Sequence, residues 1–127
     1  MRLSARPSRM EDLYRAITQP SWWKPTGGRP SSAAFNYPKF SADMASLTTP
    51  RATLDRVCPG ANGPGVVGFD CGIARRLDFD PRRELDEDHP DNAAHVHVYF
   101  SKNNSQRKKR AQKLAQSCLV VLVPTFD

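Results

Sequence analysis

The chain has 127 residues, 39% of them hydrophobic and 25% charged, with a formal net charge of +6. That length suits one folded domain, and its longest apolar run, residues 118–123, is far too short for a membrane span. Three cysteines without a C-x-x-C pair exclude a disulfide scaffold and read as reduced thiols. With no apolar leader in the first ten residues, the expectation is a cytoplasmic protein.

Residues 1–10 are polar and predicted flexible. Residues 12–18 set Leu13, Arg15 and Ile17 against Tyr14 and Ala16, the alternation of a two-faced strand. The stretch 19–30 carries three prolines, Gly27-Gly28 and the adjacent Trp22-Trp23, so it is predicted as a long shaped loop. Short extended pieces are expected around Ala34-Phe35 and Phe40-Ser41. Thr49-Pro50 marks a helix start, because Thr49 can accept from free N–H groups and Pro50 lacks the donor its position would leave unused. Leu54 and Val57 give that helix an apolar side, and Pro59-Gly60 ends it. A strand at 66–69 and one helical turn at 73–77 follow.

Residues 94–100 alternate strictly, with His95, His97 and Tyr99 on one face and Val96, Val98 and Phe100 on the other. Ser105 is placed as the cap of a helix over 106–116 with Ala111, Leu114 and Ala115 as its apolar stripe. The apolar run 118–123 is predicted as a central strand, joined to 94–100 by a right-handed parallel crossover. The expected fold is a single α+β domain over 1–127, with a mixed sheet, a C-terminal strand-helix-strand unit and long Pro/Gly-rich loops.

Charge is segregated. Residues 105–116 carry Arg107, Lys108, Lys109, Arg110 and Lys113 without an acid, while residues 78–91 hold seven acids against Arg82 and Arg83. The basic helix therefore suits a solvated face, an acidic protein surface (its own 78–91 segment or that of a second copy), or nucleic acid. No aromatic platform accompanies it, which makes nucleic acid the weakest of the three.

The strings GGRPSSAAF at 27–35, FSADMAS at 40–46, TTPRATL at 48–54 and DNAAHVHV at 91–98 carry a resemblance. They are similar to a group of small bacterial proteins with RPSSAAF near the front, Asp-Pro in the middle and Asn-x-Ala-His before a C-terminal helix. His97 departs from that pattern, and the resemblance implies no activity. Tyr14-Arg15, Gly27-Gly28-Arg29 and Phe40-Ser41 also fall in the order that resembles RES-type ADP-ribosyltransferase-like toxins. That resemblance implies an arginine holding the phosphates of NAD and a glutamate at the ribosyl cation. The chain has only Glu11, Glu84 and Glu87, and sequence position assigns none of them that part.

The candidate ligand pocket is composed of Tyr14, Arg15, Trp22, Trp23, Arg29, Ser31, Ser32, Ser41, His95 and His97. The tryptophans serve either as cover for the core edge or as flat binding anchors. His95 and His97 share a strand face, where they are sheet polar residues, ligand contacts, or two ligands of a metal completed by His89 or Asp91. No companion ligand motif supports metal, so neither metal nor cofactor is assigned. The expected function is a binding or accessory module without assigned catalytic residues. The alternatives are an atypical NAD-binding ADP-ribosyltransferase-like domain and a nucleic-acid binder using 105–116.

Overall fold

Six strands form one antiparallel sheet, seen in a computed structural model that describes residues 6–24 and 28–125. β1 (Asp12–Ile17), β2 (Lys39–Met44), β3 (Gly65–Asp70), β4 (Phe79–Arg83), β5 (His95–Phe100) and β6 (Leu119–Leu122) lie in the order β4-β5-β2-β1-β3-β6. Three helices accompany them: α1 (Pro50–Val57), α2 (Cys71–Arg76) and α3 (Arg107–Ser117).

Period-two alternation divides the sheet into two unequal faces. Leu13, Ile17, Phe40, Val67, Phe69, Phe79, Val96 and Val98 point to one side and are buried. The Ala111, Leu114 and Ala115 stripe of α3 closes that side, together with a short 3-10 turn at Ser32–Ala34 and the following Phe35. Phe35, Phe40, Phe69 and Phe79 meet edge to face with ring centres 5.6–6.3 Å apart. Each such ring, once buried, contributes about 1.5–3 kcal/mol, so this cluster dominates the packing energy.

On the opposite side, α1 covers only the β1/β3 end. Thr49 caps it by accepting from the Ala52 N–H at 3.1 Å, and Pro50 occupies its first turn. Leu54 of α1 and Val66 of β3 are fully buried, whereas the β2/β5 end of this face carries Ser41, His95, His97 and Tyr99. The sheet is thus half covered there, and the cover stops where the polar residues begin.

Several expectations are corrected. The sheet is antiparallel rather than mixed, and α3 does not make a parallel crossover. β5 has β2 and β4 as its two neighbours, so no edge of it remains for β6, which pairs with β3 instead. β6 is accordingly an edge strand, not a central one, and Leu119 is 74% exposed. Ser105 is not the cap: Asn103 accepts from the Ser105 N–H at 3.0 Å and starts a 3-10 turn that leads into α3. Residues 79–83, to which the sequence pattern assigns no element, form an edge strand, where Pro81 is tolerated because no inner ladder needs its N–H. Of residues 6–10, Pro7 is buried and the others are exposed, and three contacts tie the segment to the rest of the chain. Arg6 bonds Asp80 at 3.0 Å, Arg75 donates to the Pro7 carbonyl, and the Gly72 N–H bonds the Arg9 carbonyl at 3.2 Å.

Candidate functional site

β1 and β2 pair only through Leu13–Met44 and Tyr14–Asp43, after which the two strands part. Arg15 occupies the gap. Alternation sends its side chain to the core face, where it is 92% shielded, and the guanidinium finds carbonyls instead of acids. Nε donates to the Ala34 carbonyl at 2.7 Å and Nη1 to the Ser41 carbonyl at 2.9 Å. The cation lies 4.6 Å from the Phe40 ring centre and 4.9 Å from that of Trp22. Burial pulls its pKa down to about 10, with Tyr37 acting in the opposite sense, so the group is still charged at neutral pH. No carboxylate pairs with it among the described residues, and Nη2 makes no hydrogen bond there.

The parting of the strands opens a cleft on the half-covered face. Tyr14, Arg15, Trp22, Ser41, Asp43 and His95 line it from the sheet and the first loop. Thr53, Arg56 and Val57 line it from α1, and Asp86, Asp88, His89 and Asn92 from the loop between β4 and β5. Its cavity volume is about 190 Å³, less than the roughly 300–1,000 Å³ that encloses a whole drug-sized ligand. One end of a larger molecule fits.

Asp43 ties the three walls together. Its buried carboxylate accepts from Thr53 Oγ1 at 2.8 Å, from Arg56 Nη1 at 2.7 Å and from Asn92 Nδ2 at 2.9 Å. Each partner comes from a different stretch of chain than Asp43 itself, so the wall is braced by one charge. On the loop, Asp86 bonds His89 at 3.2 Å and accepts from the Asp88 N–H at 3.0 Å. Burial pushes the Asp86 carboxyl up, but the Asp88 and His89 bonds with nearby His95 outweigh it and hold the group below the usual range.

Glu84 positions both strand histidines. Its backbone carbonyl lies 2.7 Å from His95 Nδ1, and its carboxylate lies 2.9 Å from His97 Nδ1 and accepts from the Tyr99 hydroxyl. A carbonyl only accepts, so His95 carries its proton on Nδ1 and turns the Nε2 lone pair to Ser41 Oγ, 3.2 Å away. The two rings meet edge to face at 4.4 Å. Three of the four ring nitrogens thus face protein atoms, and no group of three metal-type ligands converges among the described residues.

Of the ten residues proposed for the pocket, Tyr14, Arg15, Trp22, Ser41 and His95 come together at the cleft. Five do not line it. Trp23 bridges to Pro30, Arg29 donates to the Gln116 carbonyl, and Ser31 Oγ donates to the Ser21 carbonyl, all serving to fold the loop onto the core edge. Ser32 opens the 3-10 turn, and His97 is held by Glu84. Gly27 of the Gly-Gly-Arg string lies outside the described residues. The lining residues Asp43, Thr53, Arg56, Asp86, Asp88, His89 and Asn92 were not among the ten. Among them the sequence carries a signal for Asn92, in the Asn-x-Ala-His string, and for His89, as a candidate metal ligand beside the strand histidines. None of the three glutamates lines the cleft: Glu11 bonds Ser46, Glu84 faces His97 and Tyr99, and Glu87 is exposed.

The basic helix makes one contact with the acidic segment, Arg110 to Asp78 at 3.3 Å, while Arg107 bonds Asn36 at 3.0 Å. Lys108, Lys109 and Lys113 are exposed. Three other acids of 78–91 have partners outside the basic helix, Asp80 with Arg6 and Arg82, Glu84 with His97 and Asp86 with His89. No helix is long and apolar enough to cross a membrane among the described residues. Comparison with protein-family models, characterised proteins and solved structures returns no match.

Proposed function

We propose that the chain is a binding domain whose cleft takes the anionic end of a nucleotide of the NAD class. The observation that carries this is Arg15, a shielded guanidinium without a carboxylate partner, set at the strand split beside the flat face of Trp22. A buried cation held only by carbonyls keeps its full attraction for an anion, because low surrounding polarity screens it little. The aromatic ring beside it offers a stacking surface for a base or a pyridine ring. Of the three strings that carry the resemblance to ADP-ribosyltransferase-like toxins, Tyr14-Arg15 and Phe40-Ser41 bring Arg15 and Ser41 to the cleft, whereas Arg29 of Gly27-Gly28-Arg29 turns to the Gln116 carbonyl. The cleft lacks a glutamate among the described residues, so the proposal is recognition and not glycosyl transfer.

Melting measured against rising NAD, ADP-ribose or nicotinamide mononucleotide tests it. Binding at 100 times Kd adds about 2.7 kcal/mol to stability, which raises Tm by several degrees in a domain of this size. Quenching of tryptophan fluorescence should follow the same curve and be halved or more by Trp22→Phe. Absence of both responses at millimolar nucleotide rejects the proposal.

A further inference from the structure

We propose that Ser41 and His95 form a nucleophile–base pair, and that the cleft cleaves an ester carrying an anionic group. This rests on the cleft being the ligand site, but not on the ligand being a nucleotide. Three observations support it. Ser41 is exposed on β2 at the point where β1 has departed, so a reacting carbonyl has room beside Oγ. His95 is 97% shielded and fixed by the Glu84 carbonyl at Nδ1, which leaves Nε2 free to accept the Ser41 proton across 3.2 Å. Arg15 bonds the Ser41 backbone carbonyl at 2.9 Å and lines the same cleft as Ser41 and His95, so its positive charge favours an anionic group on a substrate held there. A third group orienting the base is the general arrangement for activating a hydroxyl nucleophile.

The chemistry balances without an added oxidant or reductant. Ser41 Oγ bonds to the ester carbon as its proton passes to His95 Nε2. The bond to the leaving alcohol then breaks, and that alcohol takes the proton from Nε2. Water attacks the acyl-serine, again giving its proton to Nε2, and collapse releases the carboxylic acid while Ser41 regains a proton. The net change is ester plus water to acid plus alcohol.

Diisopropyl fluorophosphate, which forms an O–P bond to an activated serine as fluoride leaves, tests the pair on the intact protein. The expected result is one label, placed on Ser41 by peptide mass spectrometry and lost in Ser41→Ala. His95→Gln should slow labelling roughly 100-fold, the size of a general-base contribution. Should that variant fail to fold, native and urea-unfolded wild type are compared, and the native protein must label Ser41 at least about tenfold faster. No label, a label elsewhere, or equal rates with and without His95 or folding overturns the proposal. Labelling of Ser41 without any NAD-induced shift in Tm supports the pair and rejects the nucleotide. A shift in Tm without labelling does the reverse.

Discussion

Arg15 bonds the carbonyl oxygen of Ser41 at 2.9 Å just past the place where β1 and β2 stop pairing. One side chain thus bridges strands that the backbone no longer joins, and it does so with a charge. The same contact explains how a sheet can be split at its centre and still hold its register. It gives Arg15 a structural part beside the binding part proposed for it, and these two parts separate by experiment.

Arg15→Lys keeps the charge but loses the planar fork that reaches Ala34 and Ser41 simultaneously. Loss of these bonds and of stacking on Phe40 should cost about 2–3 kcal/mol. The urea midpoint is expected to fall by roughly 1 M. A midpoint within experimental error of wild type would show that the bridge carries little of the fold's stability.

Asp43 and Arg56 should behave as a coupled pair. Asp43→Asn leaves Arg56 on the cleft wall without its acid and weakens the Thr53 and Asn92 bonds, at a cost of about 2–3 kcal/mol. Arg56→Met should cost about 1–2 kcal/mol because Arg56 is partly exposed. Measured in the double variant, the losses should fall short of their sum by about 1 kcal/mol. Strict additivity would mean that the two residues do not share a network.

The fold's elements and its site differ in how far sequence reveals them. His95-Val96-His97-Val98-Tyr99-Phe100 declares a strand because one face is apolar, and Thr49-Pro50 declares a helix start through hydrogen-bond chemistry. β4 is hidden because Pro81 and the charges around it break the alternation, and only its position at an edge makes it a strand. Adjacency of β5 and β6 is the default for a strand-helix-strand run, yet β2 and β4 had already filled both sides of β5. At the site, Arg15 and Ser41 are visible through their neighbours Tyr14 and Phe40. Asp43, Arg56 and Asn92 carry no spacing pattern, since their meeting depends on how α1 and the β4–β5 loop fold back onto the sheet.

Glu84 predicts an acid limb in the stability profile. Burial raises its carboxyl, but the Tyr99 and His97 hydrogen bonds prevail and hold it below the usual glutamate range. A lowered folded-state value means that its stabilisation is complete above the unfolded value near 4.3 and is lost as pH falls through the folded one. Glu84→Gln should therefore lower stability by roughly 1–2 kcal/mol at pH 6 and by progressively less below about pH 4. Denaturation curves between pH 3 and 7 decide this, and a pH-independent difference would contradict it.

The three thiols should react in a fixed order. Burial pushes Cys71 and Cys118 up to about 12, which keeps them protonated and unreactive, while Cys58 is only partly covered. Ellman's reagent at pH 8 is expected to modify Cys58 within minutes and the other two only after denaturant is added. Rapid titration of all three in the native protein would show that the core opens on that timescale.

The strand order has a consequence for how the molecule assembles in time. β1 lies inside the sheet, but its neighbours β2 and β3 follow later in the chain, and β5, the other neighbour of β2, follows later still. Joining Lys39–Met44 to His95–Phe100 closes a loop of about fifty residues before any local contact rewards it, an entropic cost that grows with loop length. Chains dominated by such distant pairings fold in milliseconds to seconds, not microseconds. During that interval β1, half apolar and without partners, is the segment most open to pairing with another chain, so refolding yield should fall as protein concentration rises.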